Sequence, residues 1–303
     1  MSDIGKKKNL LALVVSPTPT VLKYVVLLAI LLYVFLPLAW LLLTAVDTNP
    51  GAYLKLPDGL TFGYIWGIIT SKPIKSGSGQ ATHPIYMTNW IVNSLVLASV
   101  SMVVVVICAS LASYGLSRLQ MRGKGVLMTI LLLAGFMPAT AKILPLFRLC
   151  RQLGILNNLP GIGIVVASGS MGMMIWIMKG FFDNIPRDLE EQAWVYGYSR
   201  IRALFKVVLP AAGPGLAVIA FLSFMRAWGA FTLPLVLIRK ESLFPISIGI
   251  SSVLFADPGE LGLSVDYGSI AALCILYAVP SVVIFYFFRK HLMSIRLTKI
   301  EVR

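Results

Sequence analysis

Charge is what this chain has least of. Only 13% of its 303 residues are Asp, Glu, Lys or Arg, and the acids number just 12. A water-soluble domain carries about 25% charged residues, so a soluble enzyme, a disordered chain and a fibrous protein are set aside. Cysteine is scarce as well. Cys108, Cys150 and Cys274 are widely spaced and form no CxxC pair, so neither a disulfide framework nor a thiolate metal site is expected. His83 and His291 have no ligand pattern beside them, which argues against any metal. There is no G-x-x-x-x-G-K-[ST] phosphate loop, because Gly123-Lys124-Gly125 lacks the upstream glycine and the hydroxyl. No Ser/His/Asp or paired-carboxylate set falls in one predicted layer. The expectation is a chain that is not an enzyme, with no catalytic residue, metal or cofactor of its own.

Apolar residues make up the difference. They account for 58% of the chain, with mean hydropathy +0.86, which is the composition of an integral membrane protein. A net charge of +14 would point to nucleic acid in a soluble protein, but in a membrane protein it marks the cytoplasmic side. A hydrocarbon core about 30 Å thick takes about 20 apolar helical residues to cross. Six stretches meet that length or come near it: roughly 24–46, 91–116, 126–141, 159–178, 211–238 and 267–288. The predicted fold is therefore all-α and polytopic, with six transmembrane helices between a segment 1–23 and a tail 289–303. The first stretch is too long for a signal-peptide core and no small-residue cleavage site follows it, so it reads as a retained helix.

Pro37, Pro138, Pro214, Pro234 and Pro280 lie in or at the edges of these stretches, as polytopic helices allow. Gly163, Gly169, Ser170 and Gly172 would let another backbone come close to the fourth span. Six spans put both termini on one side, and Lys and Arg favour that side by roughly two to one, which predicts cytoplasmic termini.

The connecting segments differ. A long first external segment, 47–89, carries Ser76-Gly77-Ser78-Gly79, a flexible stretch. From Lys142 to Leu153, apolar residues alternate with Arg148, Arg151 and Gln152 at helical spacing, predicting an interfacial helix. Residues 245–255 are apolar enough to dip back among the spans. Arg226 is the only charged residue well inside a span, so it is either a contact for substrate or a companion chain, or a structural donor to a backbone carbonyl.

The cytoplasmic segment 185–210 is unusual. Pro186 suits a first helical position, and Asp188, Glu190 and Glu191 sit where a helix dipole favours anions. Gly197 can end that helix in the left-handed conformation. Ser199 can cap a second helix, which Pro210 bounds. Two short helices joined by a tight turn are expected, forming a knob firm enough to transmit a push.

Here the chain resembles a family. Glu191-Gln192-Ala193, then Gly197, Val207 and Leu209-Pro210 resemble the EAA loop of binding-protein-dependent ABC importer permeases, with Gln192 for an alanine and Val207 for an isoleucine. Asn89-Trp90-Ile91-Val92-Asn93-Ser94-Leu95 is similar to the start of the second span in sugar-importer permeases. Trp228, Phe231 and Pro234-Leu235 are similar to their fifth span, although Gly229 and Ala230 replace an Asn and a Glu. Tyr267-Gly268, Ala271-Ala272 and Pro280 fit the sixth. The long first external segment and the tail look like the smaller, MalG-type permease of maltose transporters.

The resemblance implies a transport subunit that encloses a path for a sugar, disaccharide or oligosaccharide together with a second homologous permease. It implies an external binding protein that delivers the substrate and an ATP-binding subunit dimer that uses ATP and Mg. Glu190, Glu191, Ala193, Gly197, Leu209 and Pro210 would couple to that ATPase, the glutamates by pairing with its basic groups. Arg226, Trp228 and Phe231 would be pathway candidates. An ion-coupled carrier or channel would instead show repeats and acids at the midplane; no repeat is visible and the acids lie in loops or at helix ends.

Overall fold

The computed structural model describes residues 20–70, 74–75, 81–83, 86–254 and 267–293. Segment 1–19, the Ser76–Gly79 stretch, residue 255 and the tail from 294 lie outside the described residues.

An apolar run with nothing to break it becomes one long helix. The first is α1 (Thr20–Val46), which holds Pro37 in its interior and exposes most of its large apolar side chains, as a lipid-facing helix does. A long connecting segment follows. The buried Asp47 carboxylate accepts the backbone N–H of Asn49 and of Asp58, both at 3.0 Å, and pairs with Lys55 at 3.2 Å. The segment continues into α2 (Gly63–Ile69) and an antiparallel pair, β1 (Ile74–Lys75) and β2 (Ala81–His83), the one departure from an all-helical fold among the described residues.

The second span is α3 (Met87–Arg118), 32 residues long. After it come α4 (Lys124–Phe136) and α5 (Ala139–Gln152), separated by Met137-Pro138. The third span thus stops earlier than the expected 126–141, because a residue before proline is pushed out of the helical region. The amphipathic helix expected from Lys142 onward is α5, with Arg148, Arg151 and Gln152 exposed.

The fourth span is not one helix. It is α6 (Leu159–Ser168) and α7 (Met171–Asp183), set at 62° to each other. Gly169 and Ser170 make the break, and the second piece runs past the expected end at 178. Close approach occurs at two of the small residues: a Cβ on Gly163 would sit 3.0 Å from the Leu97 carbonyl oxygen of α3, and one on Gly172 only 2.0 Å from that of Leu131 in α4.

The segment 185–210 holds α8 (Asp188–Val195) and the helical run α9 (Arg200–Ala211). A bend of 77° leads into α10 (Gly213–Trp228). The fifth span, expected as 211–238, ends at Gly229, and a separate α11 (Thr232–Leu237) follows and packs on α5. Next, α12 (Ile246–Leu254) dips back with Ile246 and Ile248 buried, and α13 (Tyr267–Met293) closes the bundle with Pro280 inside it. Among the described residues, three helices are long and apolar enough to cross a membrane, or up to six spans if each bent pair counts once.

The bundle is organised by α3, which packs along α10, α6 and α7 and touches α12. It also runs through both buried apolar clusters. Met87, Trp90 and Leu97 join one, with Trp228, Ile246 and Ala271. Val105, Ala109 and Leu116 join the other, with Met178, Phe182 and Val208.

Candidate coupling site

The segment 185–210 builds two helices meeting at a glycine. In α8 the acids Asp188, Glu190 and Glu191 fall in the first turn, where the unpaired backbone N–H groups favour negative charge. Pro186 lies just ahead of the helix rather than at its first position; Arg187 is the N-cap residue, and its carbonyl accepts the N–H of Glu190 at 2.9 Å and of Glu191 at 3.1 Å. The other end closes at Gly197, with φ +84°. Gly197 N–H donates to Trp194 O at 2.9 Å and Tyr198 N–H to Ala193 O at 3.0 Å, the paired bonds of a Schellman stop. A side chain at Gly197 would meet no clash, so what requires glycine is the left-handed backbone.

Ser199 caps the second helix, its Oγ accepting the Arg202 N–H at 3.3 Å. That helix is α-helical over Arg200–Ala203 and widens to a π turn over Leu204–Val208. Pro210 accounts for the widening: it has no N–H to give the Lys206 carbonyl, and its ring would crowd that oxygen in a regular helix. Pro210 therefore lies inside α9, one residue before its end, with the bend following. The guanidinium of Arg200, 5.7 Å from the Trp194 ring centroid, ties the second helix to the first, and that of Arg202, 6.0 Å from the Tyr198 ring, ties it to the turn.

The glutamates differ. Glu191 is exposed, whereas Glu190 is 3% exposed and turned inward. Its Oε1 accepts the Nε–H of Arg118 and its Oε2 the hydroxyl of Tyr114 at 3.1 Å. Arg118 Nη2 also donates to the Ile185 carbonyl at 3.0 Å. One residue earlier on α3, Ser117 Oγ donates to Asp183 Oδ1 at 2.6 Å, and the other Asp183 oxygen binds Lys179. Glu190 thus presents no free charge to a partner, because its carboxylate is engaged within the chain. Within α8 Ala193 is buried; in α9 Leu209 is half-buried and Pro210 exposed. A cleft of about 350 Å³ opens between the loop and the end of α3, lined by Tyr114, Arg118, Glu190, Trp194 and Arg200 among others.

Sequence reasoning passed over Tyr114 and Arg118, counting Arg118 only as a basic residue on the inner side. The available signal was their i,i+4 spacing on one face of α3, at the membrane end where the loop lies.

The pathway candidates part company. Trp228 is 1% exposed, stacked between Phe224 at 6.0 Å and Tyr277 at 5.7 Å, with its N–H donated to the Tyr277 carbonyl at 3.3 Å. Both ring faces are covered, so it is a packing residue rather than an open surface for a solute. Phe231 is 37% exposed at the start of α11. Arg226 is exposed in the last turn of α10 and has no hydrogen-bond or ion-pair partner among the described residues, so the structural bond to a carbonyl is not made. No cluster of His, Cys, Asp or Glu able to hold a metal occurs among the described residues.

An all-helical bundle with broken spans and a stiff helix–turn–helix between two of them is the architecture of a multi-pass transport permease. Residues 59–294 match the family described as binding-protein-dependent transport system inner membrane component. The chain belongs to that family, as a non-catalytic permease subunit of an ABC transporter. Relatives include the maltodextrin transport system permease protein MdxG of Bacillus subtilis, 31% identical over 68% of this chain and 72% of that protein. The galactooligosaccharides transport system permease protein GanQ of the same species is 27% identical, covering 85% of this chain and 87% of that one. The fold matches a chain in the crystal structure of a bacterial ABC transporter involved in the import of the acidic polysaccharide alginate, with a TM-score of 0.73 at 20% identity over 90% of this chain and 96% of that one.

Proposed function

We propose that this chain is a MalG-like transmembrane subunit of a carbohydrate importer. With a second homologous permease it encloses the translocation path, and a dimer of ATP-binding subunits drives the path open and shut through the loop 185–210. One observation carries this reading: the contrast across α8. Its inner side is held by Glu190 and Ala193, while Val195 and Tyr196 at its tip are 87% and 84% exposed. Large apolar side chains bared on a rigid knob mark a protein-binding surface. The excess of basic residues in the same loops favours the cytoplasmic side for that knob and for both termini.

In this reading Glu191 supplies the free carboxylate for basic groups of the ATPase, Gly197 shapes the turn, and Leu209 and Pro210 pass the displacement through α9 into α10. ATP and Mg are used by the partner, and an external binding protein delivers the substrate. The carbohydrate class is supported by the transport of maltodextrin and galactooligosaccharides named for the relatives. Arg226, exposed and without a partner among the described residues, faces the companion permease or the substrate; Phe231 is an open aromatic five residues further on, and Trp228 backs the wall.

The test is to tag this chain, purify it gently from its host's membranes and identify what accompanies it. A second polytopic chain and a subunit with a phosphate loop are expected, and ATP-driven sugar uptake by the recovered complex should be lost in Glu191→Ala. Recovery of the chain alone, or uptake indifferent to that substitution, overturns the reading in favour of a carrier working without an ATPase.

A further inference from the structure

We propose that Arg118 is the positioning residue through which displacement of the loop reaches the centre of the bundle, a role that rests on reading 185–210 as the docking segment. Two covalent routes leave α8: back through Ile185 to α7, and forward through the Gly197 turn to α9. Arg118 provides a third route, non-covalent and stiffer in direction. Its planar fork holds the Glu190 carboxylate with Nε and the Ile185 carbonyl with Nη2, so one guanidinium grips the chain on both sides of Pro186 and Arg187. Tyr114, one turn back on α3, holds the second Glu190 oxygen, and Ser117 holds Asp183 at the end of α7. Three residues in the last two turns of one helix thus fix the whole approach to the loop.

An apolar contact would keep the loop folded equally well. Ala193, Leu204 and Val208 are already buried there, and a buried ion pair adds little net stability over well-packed apolar groups. What the pair adds is direction. Hydrogen bonds from a rigid fork resist sideways sliding, whereas apolar surfaces slip. A shift of α8 across the end of the bundle therefore drags α3, the helix packed along α6, α7 and α10, and movement enters the bundle at its centre rather than only at the neighbouring spans.

The experiment uses the complete transporter in proteoliposomes, with companion permease, ATPase and binding protein, and reads substrate moved per ATP hydrolysed. In the apolar pair Arg118→Met with Glu190→Leu, assembly and thermal stability are expected to persist while that ratio falls about fivefold or more, the scale of a typical coupling energy. Arg118→Lys, which keeps the charge but not the fork, falls between. In a background with Cys108, Cys150 and Cys274 changed to Ala, Arg118→Cys with Glu190→Cys should be uncoupled as free thiols and recover its ratio when joined by a short bifunctional maleimide. A full ratio in the assembled apolar pair, or a joined cysteine pair that stays uncoupled, overturns the role of Arg118 alone. Absence of ATP-driven uptake from the unaltered transporter overturns the importer reading and this role with it.

Discussion

The two ends of α3 are tied to their surroundings by different chemistry. At its first turns the ties are neutral: Asn93 Nδ2 donates to the carbonyls of Ser242 at 2.9 Å and Phe244 at 3.1 Å, and Ser94 Oγ accepts the Ile246 N–H at 2.8 Å. These bonds seat α12, which presses so close that a Cβ on Gly249 would lie 2.3 Å from the Trp90 ring. At its last turns the ties are charged, Arg118 to Glu190 and Ser117 to the ionised Asp183. Neutral amide bonds hold a segment by satisfying backbone groups that would otherwise be stranded. A charged fork fixes direction as well as position, which fits a segment that is pushed in the proposed coupling. On that proposal, the first end of α3 is bound to a fixed wall and its last end to a moving part.

The contrast breaks most sharply at the charged end. Arg118→Ala alone should cost about 3–5 kcal/mol by leaving Glu190 buried without its partner, seen as a large drop in the unfolding midpoint of the purified complex, while the apolar double replacement stays near the parent. Equal losses from the single and double changes would show that the end is held by packing instead. At the neutral end, Asn93→Leu should cost about 1–3 kcal/mol by stranding two carbonyls, and hydrogen exchange should rise over residues 242–250 but not over 185–200. Gly197→Ala should be milder, about 1–2 kcal/mol for a left-handed alanine, with uptake falling more than stability because only the loop tip is deformed.

The smallest effect lies beyond both ends, at Asp47. Backbone N–H bonds, that from Asn49 foremost, and the Lys55 ammonium hold its carboxyl below the ordinary value of 3.8. Asp47 therefore contributes stability that is complete above that value and is lost as pH falls through the lower folded one. Lys55 is raised above 10.5 by hydrogen bonding to Asp58, with Asp47 assisting, so its share is present at neutral pH and fades only as pH climbs past that value. Proteolysis within 47–62 should accelerate at both extremes and stay flat between, and Asp47→Asn should abolish the acid limb.

Most of the architecture can be read from the chain because lipid imposes a simple rule: apolar runs become helices. The six stretches, the amphipathic α5, the return of α12, the Gly197 turn and the Ser199 cap all follow from local residue types. The breaks at Gly169-Ser170 and Gly229-Ala230 do not, because two small residues barely alter the hydropathy of the window around them. Trp228 reads equally well as an open aromatic or a packed one until α13 brings Tyr277 against it. The Arg118–Glu190 pair joins positions 72 apart and depends on how two helices are rotated, which no local pattern records. Asn93 and Ser94 were visible as a motif, but their work of seating α12 appears only when residues about 150 positions away, at 242–246, come alongside.

The widened turn at Leu204–Val208 has one more consequence. Its Leu209 N–H reaches back five residues, to Leu204, so the run holds one residue more than a regular helix of that length would use. Deleting a residue there and replacing Pro210 with alanine would let the ladder close in the ordinary pattern, and Arg200–Ala203 would keep close to its present facing against α10, because the wide turn holds its surplus within itself. Arg200 would stay over Trp194, and the knob would keep both its shape and its facing. The wide turn is slack taken up in one place, so a residue can be gained or lost there without re-aiming what the helix carries.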